Sequence, residues 1–281
     1  NNLNILVKEN PIIENIIFNG IKSKTLKEKI SKNLKLISRS SYNQILLKKD
    51  KEILLSELKN SGYYFSEVDI ELLQLENNKV DLNYNITLGD KAKIKRISFI
   101  GDKKYKDGKL KSIIISEEYK FWKIISGKKY LNEQMINFDT RLLKNFYLNK
   151  GYYDVEINSS FAKLLRNSEF ELIYNINAKN KFFFGNLEIN LPTDFEDTNY
   201  KKLKTFLIKL KNEPYSINTV EKILDRLDMI SIIEQYESVK ATVSETIISD
   251  KINMKFNIEE TEKFIVERIN IFGNNVTREN V

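Results

Sequence analysis

The sequence predicts an α+β fold built from tandem copies of one unit, in the order strand–helix–helix–strand–strand. Three observations carry this reading. A Gly-Tyr-Tyr corner is written twice, in LKNSGYYFSEVDI (58–70) and YLNKGYYDVEI (147–157), each time after a helix-like run and before an alternating apolar stretch. Runs of period two recur in three places, each with one apolar and one polar face. A hydrophobic strand that closes on a glycine recurs at nearly constant spacing. Self-similarity on a scale of about 80 residues is the mark of a tandem array.

The opening strand of each unit is read from PIIENIIFNG (Ile13, Ile16, Phe18, then Gly20), AKIKRISFIGD (Ile94, Ile97, Phe99, then Gly101) and FFFGNLEINL (Phe184, Leu187, Ile189). A fourth copy, KFIVERINIFGNN, carries Ile271 and Gly273. Aligning Phe18, Phe99, Ile189 and Ile271 gives spacings of 81, 90 and 82 residues, with Leu191 standing where the other copies have glycine. A short helix follows, over Thr25–Leu36, Lys109–Ile115 and Tyr200–Leu210. A longer helix comes next, introduced by Tyr42, Tyr130 or Tyr215. Its apolar positions are Leu47, Leu54 and Leu58 in the first copy. In the second they are Met135, Phe138, Leu142 and Phe146, and in the third Val220, Leu224 and Leu227. Asn218 and Glu221 have the spacing of a capping box.

At the corner, Gly62 and Gly151 suit a helix terminus, where a left-handed residue satisfies the last carbonyls. Tyr63 and Tyr152 follow them and can pack between helix and sheet. In the third copy Gln235 replaces the glycine and Tyr236 remains. Each corner is expected to serve its own unit. The last two strands begin at Val68, Val155 and Val239 and continue in VDLNYNITL, FELIYNIN and INMKFNIEE. One face of these holds Val80, Leu82, Tyr84 and Ile86, then Phe170, Leu172, Tyr174 and Ile176, then Ile252, Met254, Phe256 and Ile258. One apolar and one wet face is the pattern of a sheet covered on one side.

Composition narrows the function. With 41% hydrophobic and 30% charged residues the chain can bury cores, and wholesale disorder is excluded. Nine glycines and three prolines leave no long flexible linker, and no run approaches the length of a membrane-spanning helix. The opening NNLNILVKENP lacks the order of a signal peptide, and FGNNVTRENV reads like the start of another element, so a segment of a longer protein is expected. The net charge of +7 is dispersed among 39 acidic residues. The absence of cysteine and histidine removes disulfides, thiolate and imidazole metal sites, and His- or Cys-based catalysis.

What remains for an enzyme is weak. Asp225 and Asp228 lie one turn apart on the polar side of a helix and read as solvated surface. GDKKYKDGK spaces its glycines seven apart with no Ser or Thr after Lys109, so it is a loop and not a phosphate cradle. Basic–aromatic clusters at Lys103–Lys106 and Lys120–Lys123 lack the spacing of a stacking platform, although a nucleic-acid-binding repeat stays open as a reading from another class. The expectation is a non-catalytic chain with no cofactor, metal, small-molecule substrate or nucleic acid.

The order of elements with these corners resembles the POTRA modules of the Omp85 family, over essentially the whole chain. The resemblance implies, for each unit, a three-stranded mixed sheet covered on one face by two helices. The lengthened loop EEYKFWKIISGKKYLNEQ, with Phe121–Trp122 and then Gly127 to Tyr130, looks like the third module of five-module members that assemble outer-membrane proteins. Residues 11–91 are then second-like, 92–179 third-like and 180–261 fourth-like. Residues 1–10 end a preceding module, and 262–281 begin a fifth-like one. A transport or translocation member of the same family is the alternative.

The resemblance implies a periplasmic scaffold of an outer-membrane protein. Its implied partners are accessory lipoproteins of an assembly complex (BamB-like and BamD-like) and unfolded outer-membrane proteins, bound partly by β-augmentation. The expected docking edge is Tyr153, Asp154, Val155, Glu156, Ile157, Asn158, Ser159, Ser160, Phe161 and Ala162. Val155, Ile157, Ser159 and Phe161 should face the helices, and Phe121 and Trp122 serve as partner anchors. The joints LGDKAK (88–93), NAKNKF (177–182) and EETEKF (259–264) are short and lack Gly/Ser tracts, so limited articulation is expected. Solution scattering should accordingly report an elongated particle. A compact globule with one shared core would refute the unit boundaries.

Overall fold

The computed structural model describes residues 9–120, 122, 127–166, 168–193, 195–234 and 239–260, without the side chains of 160–166 and 260. The terminal strands expected at 1–10 and 262–281 fall largely outside the described residues. The chain forms two compact units. One comprises 1–146 with 155–178, the other 147–154 with 179–281.

The first unit contains two sheets. In the first, β1 (Ile12–Asn19), α1 (Lys24–Ser31), α2 (Gln44–Asn60), β2 (Glu67–Leu75) and β3 (Lys79–Thr87) follow in order. In the second come β4 (Lys93–Asp102), α3 (Asp107–Lys111), α4 (Glu133–Leu148), β5 (Glu156–Arg166) and β6 (Glu169–Asn177). The other unit is built on β7 (Phe183–Asn190), α5 (Lys201–Leu210), α6 (Ile217–Ile233), β8 (Val239–Ile248) and β9 (Lys251–Glu260). The sheet orders are β1-β3-β2, β4-β6-β5 and β7-β9-β8. In each the last strand of the unit lies in the middle, parallel to the first and antiparallel to its hairpin partner. This is the three-stranded mixed sheet with helices on one face.

The aligned positions of the sequence meet equivalent partners. Phe18 lies opposite Tyr84, Phe99 opposite Tyr174 and Ile189 opposite Phe256. Phe18 and Phe99 stack on their tyrosines at 5.2 and 5.5 Å between centroids. Gly20 and Gly101 come next, both at φ +83°. A Cβ on Gly101 would stand 2.4 Å from the carbonyl oxygen of Ile176, so the close parallel pairing at this strand end admits only glycine.

The opening strand also carries a bulge in all three sheets, where a polar side chain of the middle strand fills the gap. Asp81 Oδ1 accepts from the backbone N of Asn15 (3.0 Å) and Asn253 Oδ1 from that of Asn186 (2.7 Å). Glu171 takes the Arg96 guanidinium at 2.7 and 2.8 Å and the Ser98 hydroxyl at 2.6 Å. These three acceptors occupy one register position. The bulge bends this edge away from further pairing.

The structure corrects four details of the helices. First, α1 and α3 end earlier than the apolar spacing predicts. Asp50 is fully buried on α2, and its carboxylate accepts from the N–H groups of Lys35 (2.8 Å) and Leu36 (2.9 Å). Asp139, equally buried on α4, accepts from Ile115 N (2.7 Å), Ser116 N (3.2 Å) and the Tyr174 hydroxyl (2.9 Å). Amides held by a side chain are no longer donated to the carbonyl four residues back, and the helix stops.

Second, the buried stripe of α4 is Ile136, Asp139, Leu143 and Tyr147, while Phe138 is exposed. Because a carboxylate sits in the stripe, apolar spacing alone picks the neighbouring face. Third, the residue that leads into α4 is buried Leu131 and not Tyr130, which lies one position earlier. Asn132 caps this helix, as Asn43 caps α2. Fourth, α6 is capped by Ser216, whose hydroxyl accepts from Thr219 N, and not by Asn218.

The third sheet solves the centre of its core differently. Ile223 stands at the position of Asp50 and Asp139, and Phe256 at that of Tyr84 and Tyr174, both fully buried. The polar pair has become an apolar pair on both sides of the contact. Burial, reinforced by Asp139, raises the pKa of Tyr174 well above its ordinary value, so the phenol stays protonated and donates. Asp139→Ile should therefore destabilise the first unit by about 3 kcal/mol or more, because three donors lose their acceptor at once. Adding Tyr174→Phe should return about 1 kcal/mol, since the hydroxyl then needs no partner. Denaturant unfolding of the four chains of this cycle checks it; strictly additive losses would contradict the coupling.

Candidate functional site

The hairpin edges, β2, β5 and β8, each pair with the middle strand on one side. Of these, β5 contains the predicted docking segment. Its burial alternates as expected from Asp154 to Ser159: Val155 is buried, Ile157 and Ser159 half-buried, and Asp154, Glu156 and Asn158 exposed. Ser160 and Phe161 continue the ladder opposite Ile173 and Leu172. The ladder then slips between Phe161 and Lys163, at Ala162, and again between Leu164 and Arg166. Only Glu156–Phe161 is therefore a regular edge. β2 and β8 carry no such shift: β2 pairs continuously from Glu67 to Leu75, and β8 from Val239 to Ile248. Ile247 and Ile248, at the end of β8, are exposed.

Tyr153, Asp154 and Val155 precede the strand instead of belonging to it. Tyr153 is committed elsewhere. Within the second unit its ring packs on Tyr215 at 5.0 Å and Phe182 at 5.8 Å, and its hydroxyl donates to Glu245 Oε2 at 2.5 Å. That hydrogen bond, with burial and the charges of Glu245 and Asp154, pushes the phenol pKa up to about 12. Tyr153 is thus a half-buried packing residue of the second unit. Trp122 is 62% exposed, with the Lys120 ammonium 5.7 Å from its ring centroid. Phe121 and Tyr236 lie outside the described residues.

The corner that leads into β5 has a second task. Gly62 and Gly151 have φ +91° and +93°, and Tyr63 N and Tyr152 N reach back to Leu58 O (2.9 Å) and Tyr147 O (3.0 Å). This pattern closes a helix with a left-handed residue, as the sequence predicts. The carbonyls of the same glycines then receive the chain that follows. Gly62 O accepts from Ala92 N at 2.8 Å within the first unit, and Gly151 O accepts from Phe182 N at 2.7 Å within the second. Each incoming residue in turn accepts from the residue before the next long helix: Leu131 N to Ala92 O (2.9 Å) and Tyr215 N to Phe182 O (2.9 Å).

The second tyrosine of each corner faces the incoming sheet too, Tyr64 against Phe170 and Tyr153 against Phe182. Gly-Tyr-Tyr is therefore a joint: Tyr63 packs on the core of the first sheet, Tyr152 meets Tyr147 edge-on within the second unit, and the second tyrosine of each corner meets the strand that follows. The expectation that each corner serves only its own unit is corrected by these bonds. Asp228 is corrected as well: its carboxylate accepts from Ala241 N at 2.9 Å and ties α6 to β8 instead of standing in solvent.

The profile of the POTRA family, described as a surface antigen variable number repeat, matches residues 11–89 and 92–179. The chain belongs to the POTRA family. Among curated relatives, the outer membrane protein assembly factor BamA of Buchnera aphidicola is 26% identical over 290 residues, covering 98% of this chain and 45% of that protein. BamA of Neisseria meningitidis serogroup B is 25% identical over 283 residues, covering 99% and 35%. The POTRA chain thus spans less than half the length of these relatives. A solved structure of Haemophilus influenzae BamA POTRA3–5 superposes with a TM-score of 0.52 at 16% identity, over 89% of this chain and 96% of that one. It shares the fold: consecutive POTRA modules in tandem.

The joint generates a prediction. Valine at Gly151 must adopt an unfavourable φ and places its Cβ 3.1 Å from the Phe182 carbonyl oxygen; a cost on the order of 1 kcal/mol or more is expected. Tyr153→Phe, which removes the bond to Glu245, should cost about 1 kcal/mol. In both variants hydrogen exchange should accelerate around Phe182–Phe184 and at the start of α6. Acceleration confined to residues before 147 would contradict the joint.

Proposed function

We propose that this POTRA chain is a periplasmic scaffold and chaperone-like segment of a BamA-like outer-membrane protein assembly factor. Residues 11–91, 92–179 and 180–261 serve as its second-, third- and fourth-like modules. The array holds accessory lipoproteins, BamB-like and BamD-like, and receives unfolded outer-membrane proteins. Extended client segments pair with Glu156–Phe161 of β5. The observation that carries this reading is the regular, alternating edge of β5, which directly follows the joint and contains no proline. Backbone pairing tolerates many sequences, which suits a protein with many different clients. Phe121 and Trp122 would add an aromatic contact from the same module.

A second edge has an observation in its favour. β8 pairs without a slip over ten residues and ends on the exposed Ile247 and Ile248. An unbroken edge is the better template for strand addition, so β8 is the competing site on the same chain.

Proline substitution separates the two. Asn158→Pro and Ser159→Pro sample both lateral directions of the β5 backbone, and Thr242→Pro and Val243→Pro do the same in β8. One β5 variant should stay folded by circular dichroism and bind extended outer-membrane-protein peptides at least tenfold more weakly. Glu156→Gln should change little, because the backbone makes the contact. Loss only in the β8 variants would move the site there. Full binding by every folded proline variant, without cross-linking along 153–162, would refute strand addition at β5.

A further inference from the structure

The uncovered face of the first sheet carries an arrangement that the docking edge does not use. On the side away from the helices, the registers of β1, β3 and β2 set side chains in rows. Ile17 lies beside Asn83 and Asn83 beside Glu71; Asn19 lies beside Asn85 and Asn85 beside Asp69; Thr87 lies beside Glu67. One row back, Asp81 lies beside Leu73. Glu67, Asp69 and Glu71 thus form a column on β2, all exposed, with the exposed Ile17 and Leu73 on the same face. Residues two apart on a strand stand about 6.7 Å apart, and like charges at that distance repel. Among the described residues no lysine or arginine pairs with these three carboxylates. Lys79, on the same face, is paired with Glu14.

The fold does not require this charge. The same three positions are Glu156, Asn158 and Ser160 on β5, and Lys240, Thr242 and Ser244 on β8. Where the second sheet has carboxylates on this face, at Glu169 and Glu171, Lys95 and Arg96 answer them. A second observation points to a ligand. Asn83, in the middle strand of this face, is only 9% exposed, and its amide oxygen meets no donor. At its register position β6 has Ile173 and β9 has Lys255, so the sheet itself needs no acceptor there. The face therefore offers an unmet amide oxygen and three unpaired carboxylates, with two aliphatic side chains beside them.

We propose that this face docks a basic helix of a partner protein. Lysine or arginine side chains meet Glu67, Asp69 and Glu71, one of their N–H groups reaches Asn83 Oδ1, and apolar residues of the same helix lie on Ile17 and Leu73. Three features favour a helix over other cationic occupants. A helix is the element that covers the face of a sheet in layered folds. Side chains four apart on a helix are about 6 Å apart along its axis, close to the spacing of the column, so a basic stripe at i, i+4 and i+8 can run along β2. The aliphatic pair would be idle under a small cation, and no group of the described residues is arranged to hold a metal ion. This surface is distinct from the β5 edge, and its test uses no client peptide, so the two readings fail separately.

The test is fluorescence anisotropy of a labelled amphipathic peptide of about five helical turns, with arginine at every fourth position and leucine on the adjoining stripe. It is titrated with the 281-residue chain, against a scrambled peptide of the same composition. The ordered peptide should bind at low salt, and the scrambled one much more weakly. Glu67→Gln/Asp69→Asn/Glu71→Gln should weaken binding roughly thirtyfold, at about threefold per ion pair. The matched triple Glu52→Gln/Glu221→Gln/Asp225→Asn, which makes the same change of charge at exposed positions of α2 and α6, should alter it little. Ile17→Ser/Leu73→Ser should also weaken binding. Asn83→Leu should bind more weakly with a thermal midpoint unchanged or raised, because an unmet buried oxygen is gone; a purely structural asparagine would give a lower midpoint and full binding. Circular dichroism checks that each variant is folded. No binding of the ordered peptide overturns the proposal, as does equal loss from the two acidic triples. Equal binding of the scrambled peptide, or indifference to the serine and leucine changes, also overturns it and points to unspecific attraction of polycations.

Discussion

In a three-stranded sheet the middle strand makes both sets of ladder hydrogen bonds, and here β3, β6 and β9 also supply the centre of each core. Tyr84, Tyr174 and Phe256 are fully buried at one register position on these strands. The residues three places earlier, Asp81, Glu171 and Asn253, point the other way and catch the bulge of the opening strand. A strand with period two does both jobs because successive side chains leave on opposite faces. Once the middle strand is fixed, the opening strand can pair only in the register that meets the aromatic ring and the polar acceptor together. The closing hairpin is left as the smooth edge in β2 and β8 and as a partly smooth one in β5.

The cores show two answers to one packing problem. A small sheet with a single covered face needs the linker between its two helices held down, and that linker has amides to satisfy. The first two sheets bring a buried carboxylate to them and let a tyrosine share it. Such an arrangement is specific because every donor must be met. In the third sheet α5 runs on to Leu210, close in sequence to the start of α6 at Ile217, and the short linker is tied to the opening strand instead: Asn212 N donates to Phe184 O, and Phe184 N to Glu213 O. No buried acceptor is then required, and isoleucine with phenylalanine fills the space. The paired change of both partners explains how sheets of one design differ at their most buried point.

The joints explain how small cores can act in series. Gly62 and Gly151 terminate helices and also present a carbonyl to the incoming chain, so the local rule for ending a helix and the rule for adding a sheet use the same residue. The hairpin edges take no part in these bonds and keep one side of their ladder unpaired within each sheet.

The sequence by itself determined the repeat, the strand–helix–helix–strand–strand order, the one-sided sheets and the glycine corners. Each of these is written in a local period or in a residue whose backbone freedom is needed on the spot. It determined the alternation of Val155 to Ser159 for the same reason. What it left to the tertiary structure is whatever depends on a partner distant in the chain. Asp50 and Asp139 look like surface carboxylates until the amides of the preceding linker are seen around them, although their common spacing to Leu54 and Leu143 was there to be read. Tyr153 looks like the first residue of a strand until Tyr215 and Glu245 claim it. The slip at Ala162 that shortens the β5 edge has no sequence signal at all, because a bulge is a property of two strands. Local periodicity reports which face a residue takes. Only the folded chain decides which groups meet across that face, and so which parts of the edge remain open to another molecule.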